Sequence, residues 1–290
     1  MKVLLVGAYG QLGTEFRKFF ESKSIEYIPV SKNKRDDKTL VADVSSMLSI
    51  SKVFDTSRFD VIINCSAYNQ VDKAETEGMN EAFSTNVIGV GNLAWISRIM
   101  DIPIIHYSTD YVFDGEKKSP YVEEDITNPL SKYGFTKLLG EKLLSEVWNK
   151  FICIRVSWVF GRGGETNFIR KLLEWSKKGS VKVSTDEVSS PTPTDVIVKV
   201  SWKLLEEQAF GLYHLSSEGE CSRYEYAKFI LDTLKWNGEI SETTQSYFNL
   251  PAKRPKYSKL DPSKVKKITK IEIPHWKDSV YKYLKEEYNL

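Results

Sequence analysis

Short, wholly apolar runs alternate with amphipathic stretches along the first half of the chain. Lys2–Val6 (KVLLV), Glu26–Val30, Val61–Cys65 (VIINC), Ile102–Tyr107 and Phe151–Val156 (FICIRV) read as strands buried on both faces. Between them, Leu12, Phe16, Phe19 and Phe20 recur at helical spacing. Glu75–Met100 carries Ala82, Asn86, Gly89, Leu93 and Ile96 along one side, and Ser131–Ser145 also reads as a helix. Strands that alternate with helices predict right-handed βαβ units, hence an α/β fold with a doubly wound parallel sheet covered on both faces.

After Gly161 the rhythm loosens. Phe168–Lys178, Thr194–Glu207 (with Thr192 or Thr194 as cap), Ser222–Trp236 and Lys277–Tyr288 are helical in pattern. Val181–Ser184 and Gly211–Leu215 are extended, and Leu250–Pro255 is a loop. The pattern predicts a sheet domain over residues 1–160 and a smaller C-terminal lobe over 161–290, with some of its segments returning to the sheet. A chain of 290 residues is long enough for both.

Composition changes this picture little. With 41 basic and 39 acidic side chains the net charge is +2, so bulk charge makes no case for nucleic acid or an anionic membrane. Cys65, Cys153 and Cys221 form no C-x-x-C pair, which suits reduced thiols. The N-terminus enters an apolar strand at once, too short for a leader, and no run approaches membrane-spanning length. A cytoplasmic protein is the expectation.

The first candidate chemistry lies where the first strand meets its helix. Gly7, Gly10 and Gly13 form G-x-x-G-x-x-G there. A tight turn needs backbone freedom, and a pyrophosphate must approach N–H groups that a Cβ would block. Strand, turn and helix together predict a Rossmann-type NAD(P) site, although the same turn without a ligand is the alternative. NAD-binding sites place a carboxylate after the second strand; here Ser31-Lys32-Asn33-Lys34-Arg35 follows it. Ser31 and Lys32 could hold a 2′-phosphate, which leans toward NADP(H) while leaving NAD(H) open. Asp43, followed by Val44, either accepts from an adenine amino group or caps the next turn.

The second is Tyr133-x-x-x-Lys137, a spacing that puts phenol and ammonium on one helical face. Carbonyl reduction needs a proton at oxygen while hydride reaches carbon. A nearby cation lowers the phenol pKa toward working pH and can bond cofactor ribose. Upstream, a strand ends in Tyr107-Ser108-Thr109-Asp110, and ligands of open parallel sheets sit beyond such ends. The hydroxyl of Ser108 or Thr109 could hold a substrate oxygen beside Tyr133. Ser66, Ala67 and Tyr68 end another strand and leave room for a nicotinamide-side ribose.

These segments carry a resemblance. Gly7–Gly13 (GAYGQLG), Asn64–Glu75 (NCSAYNQVDKAE), Ser108–Gly115 (STDYVFDG), Tyr133–Lys137, Arg155–Gly161 (RVSWVFG) and Arg254–Asp261 (RPKYSKLD) run in family order over nearly the whole chain. The chain resembles the dTDP-4-dehydrorhamnose reductase family of the extended short-chain dehydrogenase/reductases. The resemblance implies NAD(P)H-dependent reduction of the 4-keto group of a nucleotide-linked deoxysugar, dTDP-4-dehydro-L-rhamnose. It implies Tyr133 as proton donor, Lys137 as its tuner, and Thr109 orienting the carbonyl. Trp158 would pack on the sugar, Asp110 would bond its hydroxyls and Arg254 would meet the diphosphate. Gln11, Leu12, Asp43, Val44, Ser66, Ala67, Tyr68 and Tyr107 would line the cofactor. Without the resemblance, Trp158 reads as a core aromatic.

Some family members place Mg²⁺ on acidic residues at a dimer interface. Glu15 and Asp195 match two such positions, but Val196 stands where another carboxylate is expected. Two carboxylates make a poor Mg²⁺ site, so the metal is allowed but not favoured, and a homodimer is left open. Two other functions fit the same pattern: a nucleotide-sugar epimerase or dehydratase, which returns its hydride, and a non-catalytic NADP-binding regulatory subunit. The presence of both Tyr133 and Lys137 favours the enzyme.

Overall fold

The computed structural model describes residues 1–164 and 167–288. Seven parallel strands form the central sheet: β1 (Lys2–Val6), β2 (Glu26–Ser31), β3 (Leu40–Val41), β4 (Val61–Asn64), β5 (Ile104–Thr109), β6 (Phe151–Val156) and β11 (Gly211–Leu215). Their order is β11-β6-β5-β4-β1-β2-β3. The order reverses on either side of β1, and this switch point puts a crevice at the carboxyl ends of β1 and β4. Val3, Leu4, Leu5, Ile62 and Ile63 are fully buried, as apolar side chains on alternate faces of a two-sided sheet must be.

Helices α1 (Gln11–Lys23), α2 (Met47–Thr56), α3 (Val71–Ala74), α4 (Met79–Phe83), α5 (Gly89–Met100) and α6 (Lys132–Val147) cover the first half. In the second half α8 (Thr194–Glu206) and α10 (Ser263–Thr269) lie over the sheet, with α8 packed on α1. Phe16, Phe20, Trp202 and Tyr213 share one apolar cluster on that face. The remaining lobe joins α7 (Phe168–Ser176), α9 (Arg223–Thr233) and α11 (Trp276–Tyr288) to short strands: β7 (Val159–Phe160), β8 (Ser180–Ser184), β9 (Val188–Ser189), β10 (Thr192–Pro193), β12 (Cys221–Ser222) and β13 (Glu239–Thr243). Its own cluster centres on Tyr226, Phe160, Leu172 and Trp276.

Glu75–Met100 is not one continuous helix. The chain turns at Glu75–Gly78 and then widens into a π-helical turn at Ser84–Ile88 before α5 begins. The wide turn aims the buried Asn86 amide sideways. Its Oδ1 accepts from Tyr68 N at 2.9 Å, and its Nδ2 donates to Tyr68 O at 3.2 Å and Thr136 Oγ1 at 3.1 Å. A regular helix would spend that position on side-by-side packing; here it clamps the backbone of a crevice residue. Besides the two-residue strands of the second lobe, α2, α10 and β13 did not register in the apolar pattern. β13 is half-exposed along its length and pairs only with β8.

Candidate active site

The glycine turn builds one wall. Gly7 has φ +72°, and a Cβ there would lie 2.6 Å from Ser66 N. A Cβ on Gly13 would lie 2.3 Å from Gly7 O, so this glycine serves the close contact of turn and helix. Gly10 differs: its Cβ would meet nothing nearer than Gly7 O at 3.4 Å. The protein itself leaves room for a side chain at Gly10, so the open backbone there suits an incoming pyrophosphate at the head of α1. Donors and space together fit a dinucleotide.

A groove of about 620 Å³ runs from this turn to the ends of β4, β5 and β6. All the candidate residues except Gly13 and Arg254 line it. Several do so differently from the sequence expectation. Tyr107 turns its ring into the α1–α8 layer, where its hydroxyl donates to Ser201 Oγ at 2.7 Å. Its carbonyl accepts from Lys137 on the groove wall. Gln11 uses its Nε2 to hold Val159 O at 3.0 Å, fastening the second lobe to the turn. Lys32 pairs with Asp43 at 3.2 Å at the far end of the groove. Asp43 Oδ1 accepts from Ser45 N and Oγ, so the capping alternative is realised.

At the middle of the groove, α6 presents its two key side chains. Ser131 caps this helix by accepting from Gly134 N at 3.2 Å, and Lys132 N donates to Glu75 Oε1 at 2.7 Å. Gly134 lets the helix press on the turn after β5, since a Cβ would lie 2.2 Å from Tyr111 O. Tyr133 packs edge-on to Tyr111 and against Tyr68, Ala74 and Ala82, with part of its ring facing the groove. Burial pushes its phenol pKa upward, with the Thr109 hydroxyl pulling the other way. Lys137 is buried, and its Nζ donates to Tyr107 O at 2.6 Å. Burial brings its ammonium down to about 8. The phenol is therefore held protonated, and the ammonium is spent on a carbonyl rather than on the phenol.

Asp110 is 2 % exposed and accepts from Ser258 Oγ at 2.5 Å and from Thr109 Oγ1 at 3.2 Å. Burial raises its carboxyl pKa to about 6, against the pull of Ser258 and Arg223. A raised carboxyl pKa favours the fold while the group is protonated. That contribution is complete below the usual carboxylate range near 3.8 and is lost as pH rises through about 6. Asp110→Asn, a neutral isostere, is therefore expected to gain stability relative to the parent as pH rises from about 4 to about 7. Urea denaturation at both ends checks this; a difference independent of pH would show that Asp110 ionises as in the unfolded chain.

Trp158 follows β6 with φ +43°, half-buried and facing the groove. Arg254 is tied by Nη2 to Asp72 Oδ2 at 2.7 Å and by Nη1 to Ala252 O at 2.8 Å. Sequence reasoning missed Glu81, Thr85, Asn167 and Arg223, which also line the groove. The S-x-x-E capping box at Ser222–Glu225 marks where α9 starts, but nothing local says that its first residue turns toward β6. Glu15 and Asp195 find other partners within the chain. Asp195 Oδ2 faces Lys282 Nζ at 3.2 Å and Lys199 Nζ at 3.6 Å, while Glu15 accepts from Thr194. No group of three or more metal-ligating side chains occurs among the described residues. Nor is any described helix long and apolar enough to cross a membrane.

The family model for the RmlD substrate binding domain matches residues 1–289. The spore coat polysaccharide biosynthesis protein SpsK of Bacillus subtilis is 33% identical, over 98% of this chain and 97% of its own length. A dTDP-4-dehydrorhamnose reductase of Clostridium acetobutylicum has a crystal structure that superposes with TM-score 0.91 at 35% identity, covering 99% of each chain. The Bacillus anthracis dTDP-4-dehydrorhamnose reductase in complex with NADP matches with TM-score 0.91 at 29% identity, over 98% of this chain and 99% of that one.

Proposed function

The chain belongs to the dTDP-4-dehydrorhamnose reductase family, and from that premise we propose that it reduces the 4-keto group of dTDP-4-dehydro-L-rhamnose with NADPH or NADH. The observation that carries this reading is the single groove that joins the open glycine turn to Tyr133, Lys137 and Thr109. We assign the dinucleotide to residues 1–160 and the sugar nucleotide mainly to 161–290, with β11 and α8 serving the sheet.

A reduced nicotinamide, when bound, supplies hydride to the keto carbon. The chain's own residues then manage the oxygen. Tyr133 keeps its proton on Oη because burial disfavours the phenolate, and it releases that proton as negative charge grows on the substrate oxygen. Thr109 stands beside Asp110 at the end of β5, where its hydroxyl can turn to hold the carbonyl. Lys137, anchored on Tyr107 O, keeps a cation one helical turn below the phenol, within the wall that would meet cofactor ribose. Ser31 and Lys32 lie where the adenosine end would rest. A 2′-phosphate there would compete with Asp43 for Lys32. The partner in this reading is a sugar nucleotide, not a nucleic acid. The two ammonium groups beside Asp195 do not favour a metal there, and the reading needs none.

The test is a panel of 4-keto nucleotide sugars with NADPH and NADH, followed by nicotinamide absorbance. Stoichiometric cofactor oxidation with the dTDP-linked sugar is the expected result. Turnover without net oxidation would point to an epimerase, and the absence of any turnover would remove the reductase reading.

A further inference from the structure

At the substrate end of the groove the charges do not add up without a further cation. Lys32 lies at the opposite end, paired with Asp43, and Lys137 is committed to Tyr107 O. Arg254, the guanidinium expected at the diphosphate, is closed by Asp72 and Ala252 O and does not line the groove. A dianion entering a partly dry cleft needs a cation to replace its water.

Arg223 meets that need. It is the first residue of α9, and its guanidinium lies 3.6 Å from the centre of the Trp158 ring and 4.9 Å from that of Phe168. Stacking fixes the guanidinium plane and leaves its in-plane N–H groups for another partner. Its side chain makes no hydrogen bond among the described residues. Its Nε forms an ion pair with Glu187 Oε2 at 3.6 Å, longer than a hydrogen bond, which leaves Nη1 and Nη2 free of the carboxylate. Glu187 itself accepts from Ser184. The side chain is only 16% exposed, so these donors meet little bulk water and lack a full set of protein acceptors. Arg223 also lies close enough to Asp110 and Tyr111 to affect their protonation, which sets it beside the groove's reaction end.

We propose that Arg223, stacked on Trp158, is the guanidinium that binds the substrate diphosphate and so selects nucleoside diphosphate sugars over their monophosphate counterparts. This rests on the sugar-nucleotide reading of the groove. Arg254, held by Asp72, positions the 252–258 segment that delivers Ser258 to Asp110. A planar fork matches phosphate oxygens bidentately, which a point-charge lysine does not.

The experiment measures equilibrium binding of thymidine diphosphate, uridine diphosphate and thymidine monophosphate to the full chain and to Arg223→Gln. Arg223→Gln is expected to weaken the diphosphates by about ten- to a hundredfold, the weight of charge-assisted hydrogen bonds to phosphate. The monophosphate should weaken less, and NADPH affinity should not change. Arg223→Lys, which keeps the charge and loses the fork, should fall between parent and glutamine. If the glutamine variant does not fold, the lysine variant carries the test alone. Unchanged diphosphate affinity in a folded variant overturns the proposal, as does a parent chain that binds neither diphosphate. Failure of the reductase reading looks different: no nicotinamide oxidation with the dTDP sugar, yet diphosphate binding that still depends on Arg223.

Discussion

Tyr133→Phe is expected to lower kcat by about two to four orders of magnitude while NADPH binds as before. The ring stays packed against Tyr111, Tyr68 and Ala82, so the wall of the groove survives the loss of one oxygen. On the proposed mechanism, what disappears is the proton that the substrate oxygen receives. Burial holds that proton on the phenol, so in the proposed mechanism the acid is ready in place rather than drawn from solvent. Steady-state rates with the dTDP-linked keto sugar, together with a cofactor titration, check both halves. A variant within a few-fold of the parent would remove Tyr133 from the mechanism; a variant that also loses NADPH would make it a binding residue.

The second large effect is on stability. Arg155 is 3% exposed in its side chain and lies against Glu141 at 6%. Its Nη2 donates to Glu141 Oε2 at 2.8 Å, and its Nε lies 3.1 Å from Oε1. Its Nη1 reaches His214 Nε2 at 3.2 Å, which makes that nitrogen the acceptor and leaves Nδ1–H to donate to Tyr121 O at 2.8 Å. The imidazole stays neutral, its pKa drawn down to about 3 by burial and by the neighbouring guanidinium. This one side chain joins β6, β11 and the Tyr121 loop to α6, the helix that carries Tyr133 and Lys137. Arg155→Met leaves Glu141 buried and unpaired, and is expected to cost about 3–5 kcal/mol. Adding Glu141→Leu should recover much of the loss, because removing both charges also removes the desolvation penalty. Denaturant midpoints of the three chains decide it. A single variant as stable as the parent would mean that the pair contributes no net stability.

Much of the fold and much of the site could be read along the chain, for a definite reason. Strands buried on both faces announce themselves as unbroken apolar runs, and Lys2–Val6 and Phe151–Val156 begin and end where those runs do. The glycine turn is equally local: Gly7 is required by its φ and Gly13 by a contact with its own turn. Tyr133 and Lys137 share a helix, so their spacing alone sets their common face. Helix α2, its N-cap at Ser46 notwithstanding, and α10 carried too short or too mixed a pattern to stand out. The strand β13 has one neighbour and little burial, so no periodicity marks it.

The residues alone determined the α/β class, the phosphate-ready turn and the phenol–ammonium pair, because each depends on neighbours within a few positions. Only tertiary structure decided what those groups touch. It sent the Tyr107 ring away from the groove, spent Lys137 on a carbonyl, closed Arg254 on Asp72 and laid Arg223 across Trp158. These contacts join positions 30 to 182 residues apart. A hydrogen bond or a stacked cation depends on distance and direction in space, and neither is written into the spacing of residues along the chain.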